Sequence, residues 1–291
     1  MLNRRRLLAI TALATAASAA PVALSPANAT RRPLELTAYI GGRAVDRRTV
    51  LTWEARRLQV VAARIGDGVP SLLAELTALI GPEPSAENVE RDRQFLADVK
   101  LRLGEARIRA LLAAEVALTD PMSATAAALG DWDVSTVEIS SSLGTAQGFL
   151  DWFNARIAHN DVRSMLVACP DHYVLNSPRA GVQEVIEVTG GAVLGSRFFV
   201  DYSDNAGIPI APDSAFPIRT AGWARNSEGV RIGAVRHQFR DLPGGGFRAR
   251  PAVAFPAALP SPMISAHEWH LACEFSNWVT AYASSMGTAG R

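Results

Sequence analysis

The stretch SAHEWHLACEFSNW near the C-terminus (residues 265–278) concentrates side chains that can bind a metal ion. His270 and Glu274 are four residues apart, so a helix places them on one face, and His267 lies on much the same face. The segment HEWH is not the zincin motif, because its histidines are three residues apart rather than four. The flanking aromatic residues predict a largely buried helix, and buried ionisable groups need partners or a metal. A simple His–Glu hydrogen bond on a helix surface is the alternative.

Two upstream residues could complete such a site. His172 begins a predicted strand in CPDHYVL, and Glu187 lies inside the apolar strand VIEVTGG, just before two glycines. Glu184 would face the opposite side of the same strand. An ordinary histidine at a strand edge and a glutamate on an exposed strand face are the alternatives for these two residues.

The elements that must position these residues follow a recognisable order. Residues 30–135 have the amphipathic periodicity of helices, interrupted at Gly104. Residues 136–291 contain one or two helices, several short strands rich in aromatic and β-branched residues, and a long last helix. This order predicts an α+β helix-grip fold (START-like, Bet v 1-like), in which an antiparallel sheet surrounds the C-terminal helix and leaves a cavity. For the helical N-terminal region we expect a packing, lid or homodimerisation role.

Composition and the N-terminus indicate an exported protein. The net charge of +1 excludes a global field that would attract nucleic acid. Residues 1–29 have a basic start with Arg4 and Arg5, an apolar stretch and small residues at the end, which predicts a signal peptide of the twin-arginine type and a periplasmic or extracellular location. No later stretch is apolar for long enough to predict a membrane span. Cys169 and Cys273 are either one disulfide or two buried thiols.

Four segments together resemble the diacetylphloroglucinol hydrolase and phloretin hydrolase family. They are DWFNARIAHND…CPDHYVL, EVIEVTGG, GAVRHQFRD…GGGFRAR and HLACEFSNW, and they cover roughly residues 145–280. The resemblance implies a metal site held by His172, Glu187, His270 and Glu274, with Zn²⁺ as the ion and Mn²⁺ or Fe²⁺ as alternatives. It also implies that metal-bound water cleaves the C–C bond next to the carbonyl of a small phenolic or aromatic ketone.

Further residues are assigned roles around that site. Glu274 is the predicted proton shuttle, because a helix holds it in place. His237, in the strand AVRHQFRD, is expected to bind a phenol oxygen from the cavity wall, with a cross-strand contact as the alternative. Tyr173 and Asn176 are substrate-binding candidates because they adjoin His172. Arg248 and Arg250 could bind an acidic substrate, although a salt-bridged sheet edge is the more common arrangement. The competing function is an exported, non-catalytic binding protein with the same cavity.

Overall fold

The computed structural model describes residues 32–81, 83–190 and 192–286. The predicted signal peptide, residues 1–29, lies outside these ranges, so export stays a prediction. Among the helices that the structure describes, none is long and apolar enough to cross a membrane.

Ten strands and six α-helices make up the described chain. In order they are β1 (Leu36–Ile40), β2 (Arg43–Asp46), α1 (Arg47–Gly68), α2 (Leu73–Ile80), α3 (Val89–Ala127), β3 (Trp132–Ser141), α4 (Ala146–Ala158), α5 (Val162–Ala168), β4 (His172–Arg179), β5 (Val182–Glu187), β6 (Ser196–Asp201), β7 (Ile218–Arg225), β8 (Arg231–Asp241), β9 (Phe247–Arg250), β10 (Ala252–Pro256) and α6 (Ser261–Ser285). A single 3₁₀ turn (Pro70–Leu72) precedes α2.

All the strands join one antiparallel sheet in the order β2-β1-β3-β10-β8-β7-β6-β5-β4, while β9 pairs with β3 and β8. Pro251 separates β9 from β10, because a proline cannot donate a ladder hydrogen bond. The long helix α6 packs on one face of this sheet together with α4 and α5. The predicted α+β helix-grip fold is therefore confirmed.

The N-terminal region differs from the prediction in two ways. Residues 30–135 are not wholly helical, because β1 and β2 form a hairpin around Gly41 and Gly42, and β1 pairs with β3. The boundary at residue 136 is also wrong, since β3 begins at Trp132 and belongs to the helix-grip sheet. Strands of four or five residues are too short to show a clear alternation of polar and apolar residues, so the sequence did not predict β1 and β2.

The helices α1, α2 and α3 cover the opposite face of the sheet at its β4–β5 edge. Their apolar side chains share one buried cluster with Val174 of β4 and with Ile186 of β5. Helix α3 breaks at Gly104, as the sequence predicts, where φ of +74° favours glycine. The edge strand β4 and its neighbour β5 consequently lie between α6 on one side and the N-terminal helices on the other.

Candidate metal centre

The four side chains predicted as metal ligands come together at one buried point. His172 of β4 pairs directly with Glu187 of β5, and His270 and Glu274 lie one turn apart on α6. The Nε2 atom of His172 is 3.2 Å from Nε2 of His270, 3.2 Å from Oε2 of Glu274 and 3.7 Å from Oε2 of Glu187. The Nε2 atom of His270 is 3.7 Å from Oε2 of Glu187 and 3.8 Å from Oε2 of Glu274.

These separations fit a divalent cation. Nitrogen and oxygen ligands about 2.1 Å from a common centre lie about 3.4 Å apart at the corners of a tetrahedron. The observed range of 3.2–3.8 Å brackets that value. Two imidazoles and two carboxylates are also a donor set that suits zinc, manganese or iron. The cluster is therefore a candidate metal centre.

Hydrogen bonds on the far side of each imidazole orient the two histidines. Nδ1 of His172 is 2.9 Å from the carbonyl oxygen of Met165, which leaves Nε2 as the unprotonated nitrogen. Nδ1 of His270 is 3.7 Å from Sγ of Cys169, so its Nε2 also turns towards the cluster. Ligating histidines usually have such a partner on the second nitrogen, because it sets the tautomer and the ring orientation.

Other residues border the cluster and could also supply a ligand. Potential ligand atoms of Cys169, His172 and His270 lie within 4.8 Å of one another, as do those of Glu187, His267 and His270. Cys169 contacts Nδ1 of His270, on the side away from the carboxylates, and so serves better to orient that ring. His267 was noted in the sequence but not assigned to the site.

Burial dominates the electrostatics of the cluster. It raises the pKa of Glu187 to about 7 and also raises the pKa of Glu274. Burial lowers the pKa of His270 well below its ordinary value, and neighbouring histidines lower it further. Burial also opposes the charged form of His172, but the hydrogen bond and charge of Glu274 outweigh it and raise that pKa. Two carboxylates held out of water are costly, and a bound cation would offset that cost.

The N-terminal helices hold the segment that carries His172. Lys100 of α3 is buried, and its Nζ donates to the carbonyl oxygens of Pro170, at 2.6 Å, and His172. Arg57 of α1 forms a bidentate pair with the buried Asp171, at 2.9 and 2.6 Å. The sequence predicts only a packing, lid or homodimerisation role for these helices. Lys100 is the only lysine of the chain, and its position inside an otherwise ordinary helix was the signal available.

A second buried network ties the same helices to α6. Asn277, one turn after Cys273, donates to Oε2 of Glu54 at 3.2 Å and to the carbonyl oxygen of Ala168 at 2.8 Å. Glu54 in turn pairs with Arg93 of α3. The N-terminal region thus braces two of the three elements that carry the candidate ligands, β4 and α6.

Two glycines follow Glu187, and the first lets the chain pass close to α6. A Cβ atom on Gly190 would lie 2.6 Å from Cβ of His270 and 3.2 Å from the carbonyl oxygen of Ala266. Any side chain at this position would therefore push against His270.

The cluster opens into a cavity of about 510 Å³ between the sheet and α6, lined mostly by apolar side chains. This volume is typical of a site for a small molecule. His237 lines the cavity as predicted, packs edge-on against Phe275 at 4.9 Å, and has a pKa that burial lowers to about 3. Tyr202 and Gln183 also line the cavity and were not predicted from the sequence. The Tyr202 hydroxyl donates a hydrogen bond to Oε1 of Gln183 at 3.2 Å.

Two predicted substrate-binding residues do not reach the cavity. Tyr173 lies in the cluster beneath α1 and α3, under the Lys100 ammonium group, and Asn176 donates to Glu105 of α3. Tyr173 follows His172 by one residue, so the alternation of a strand already places it on the outer face. A register shift between His172 and Val174 turns Asn176 to the same outer face, and the sequence does not reveal such a bulge. Their assignment to the pocket was wrong.

The remaining alternatives are also resolved. Arg248 and Arg250 both pair with Glu138 of the neighbouring strand β3, so they are salt-bridged as expected, although β9 lies between β3 and β8 rather than at an edge of the sheet. Cys169 and Cys273 are buried free thiols and not a disulfide.

Comparison with known proteins adds little beyond these observations. No protein-family model and no curated protein matches the chain. Several solved structures are similar to it, and the two described next each match about half of this chain. The crystal structure of Ara h 8.0201 is 16% identical, with 52% of this chain and 99% of that chain covered and a TM-score of 0.33. The crystal structure of Protein Ms6760 from Mycobacterium smegmatis is 14% identical, with 55% and 98% covered and a TM-score of 0.32.

Proposed function

We propose that this protein is a metal-dependent hydrolase, with zinc as its ion and manganese or iron as alternatives, that cleaves the C–C bond next to the carbonyl of a small phenolic or aromatic ketone. One observation carries the proposal. The two histidines lie 3.2–3.8 Å from each other and from both carboxylates, at the wall of a mostly apolar cavity. The resemblance to the diacetylphloroglucinol and phloretin hydrolases supplies the reaction class.

His172 and His270 would hold the ion through Nε2, and Glu187 and Glu274 through their carboxylates. A divalent ion bound there supplies Lewis-acid activation of water and of a carbonyl oxygen. The mostly apolar lining accommodates an aromatic ring. His237 and the Tyr202–Gln183 pair are among the polar groups on the cavity wall that can bind hydroxyl or carbonyl groups of the ring.

The reaction adds one water across the bond between the acyl carbon and the ring carbon. The hydroxyl group goes to the acyl carbon, which leaves as a carboxylic acid, and a proton goes to the ring carbon, which keeps the electron pair of the broken bond. Glu274 carries that proton from the water to the ring, because it borders both the cluster and the cavity.

Elemental analysis of the purified protein tests the metal. We expect near-stoichiometric zinc, manganese or iron in the wild type and a clear loss in Glu274→Ala. Glu268→Ala is the matched control, because this half-buried glutamate of the same helix is not one of the cluster's residues. Absence of metal from the wild type would refute the hydrolase.

The alternative is a non-catalytic binding protein, and the cavity by itself favours it as much as an enzyme. Incubation of the metal-loaded protein with acylphenols separates the two. Release of the carboxylic acid, lost in Glu274→Ala, supports the hydrolase, whereas saturable binding without release supports the binding protein.

Export is a separate part of the proposal. Expression of the full chain in a bacterial host should give a periplasmic protein shortened after Ala29 or Ala19, and replacement of Arg4 and Arg5 by lysine should retain it in the cytoplasm.

A further inference from the structure

His267 of α6 borders the candidate metal centre, but its imidazole is hydrogen-bonded to a residue of β3 rather than to the cluster. One of its ring nitrogens lies within 4.8 Å of a potential ligand atom of His270 and of Glu187. Its ring is stacked on His270, with centroids 5.2 Å apart and planes at 19°, and packs edge-on against Phe255 of β10 at 4.9 Å. The side chain is buried against protein on three sides and lines the cavity on the fourth.

A buried serine sets the tautomer of this histidine. Nδ1 of His267 is 3.1 Å from Oγ of Ser135 on β3, and Ser135 is fully buried. Among the described residues, His267 Nδ1 is the single hydrogen-bond partner of that hydroxyl. A buried hydroxyl proton needs an acceptor, so Ser135 donates to Nδ1. The ring proton of the neutral imidazole must then be on Nε2.

The Nε2–H group is therefore a donor without an acceptor of its own. Among the residues that the structure describes, it has no hydrogen-bond partner, and His267 lines the cavity beside the cluster. Ser135 occupies a position in β3 whose inward-facing neighbours are Val137 and Ile139. A polar residue at an apolar position, bonded only to this ring, indicates that the ring orientation is specified.

We propose that His267 is a further substrate-binding residue of this site. Its Nε2–H group donates a hydrogen bond to an acceptor atom of a ligand held at the His172–Glu187–His270–Glu274 cluster, and Ser135 is the positioning residue that keeps this donor in place. The proposal rests on the proposed metal centre. In a ketone substrate the acceptor is the carbonyl oxygen. In a carboxylate product it is an oxygen of the carboxylate group. Such a donor stabilises the negative charge that develops on this oxygen when water adds to the carbonyl.

The test uses the cobalt-substituted full-length protein and azide as the probe. The d–d absorption of Co²⁺ reports azide binding, and elemental analysis of each variant reports retained metal. We expect His267→Leu to keep its metal and to bind azide about tenfold more weakly, which is the loss of one hydrogen bond to a charged acceptor. His267→Gln, whose amide can donate, should recover part of the affinity. His159→Leu, a change at an exposed histidine, is the control.

Ser135→Ala is the second variant, and it tests the proposed hydrogen bond even if His267→Leu does not fold. It leaves the imidazole in place and removes the group that sets the tautomer, so azide should bind about threefold more weakly while metal content is unchanged. Azide affinity within twofold of wild type in both metal-loaded variants would overturn the proposal. Loss of metal from His267→Leu would also overturn it, because His267 would then be a ligand. Absence of metal from the wild type would instead refute the proposed function.

Discussion

Gly190→Ala should weaken metal binding without unfolding the protein. The backbone of Gly190 does not have a positive φ, so alanine is tolerated locally. Its Cβ atom would lie 2.6 Å from Cβ of His270, whereas ordinary contacts of this kind are 3.4–4 Å. The strand end and α6 must therefore separate by about 1 Å, which is several times the ~0.2 Å tolerance of a metal–ligand distance.

The expected magnitude follows from that displacement. Misplacing one of four ligands should raise the dissociation constant for zinc about 10- to 100-fold, which is about 1.4–2.7 kcal/mol. Overpacking should lower the stability of the metal-free protein by about 1–3 kcal/mol, which leaves a folded protein. Competition with a chromophoric chelator measures the affinity, and thermal melting of the metal-free forms measures the stability.

Gly244→Ala is the matched control, because nothing lies within 4 Å of the added Cβ atom and the residue sits in the β8–β9 turn, away from the cluster. Wild-type zinc affinity in Gly190→Ala would refute the reasoning, since His270 would then tolerate the displacement or would not be a ligand. A loss of affinity in Gly244→Ala would also count against it.

Further predictions concern the bracing, the cavity, the metal and pH. Lys100→Met should lower the free energy of unfolding of the metal-free protein by about 2–4 kcal/mol, because two buried carbonyl oxygens lose their donor; an unchanged urea midpoint would contradict this role. His237→Leu should retain metal and weaken binding of an acylphenol about three- to tenfold, measured by calorimetry, and equal affinity would remove His237 from the ligand site. Removal of the metal by a chelator should lower the melting temperature of the wild type by roughly 10 °C, if the ion is present at about 1,000 times its dissociation constant, and should not affect Glu274→Ala. Glu184→Gln should destabilise at pH 7. Burial disfavours the carboxylate, but hydrogen bonds and ion pairs with Arg109 and Arg197 hold the pKa of Glu184 in the folded protein below its ordinary value. The contribution of Glu184 to the free energy of unfolding is therefore fully present above the pKa of the unfolded state and is lost as the pH falls through the pKa of the folded state. A difference between wild type and variant in urea denaturation that does not change with pH would refute this.

The predicted fold class came from the order of the elements along the chain, and the structure confirms that order. The helix-grip order depends on many short amphipathic strands followed by one helix, and neither signal needs a tertiary contact to be read. The hairpin β1–β2 was not predicted from the sequence, because a strand of four or five residues gains its stability from the strand that it pairs with, here β3.

The ligand set was assigned from a resemblance, and the structure brings its four members together. The i, i+4 spacing of His270 and Glu274 is a property of any helix, so the sequence by itself determined that pair. The pairing of His172 with Glu187 across two strands depends on the register of the β4–β5 hairpin.

Only the tertiary structure decided which neighbours of these ligands take part. A bulge after His172 sends Asn176 to the outer face, and such a bulge depends on how the strand is paired and covered. Ser135 meets His267, and Lys100 meets the carbonyl oxygen of His172, across sequence separations of 132 and 72 residues. Contacts of this kind leave no periodic pattern. The sequence therefore determined most of the elements and one helical pair of candidate ligands, and packing between distant elements decided which side chains face the cavity.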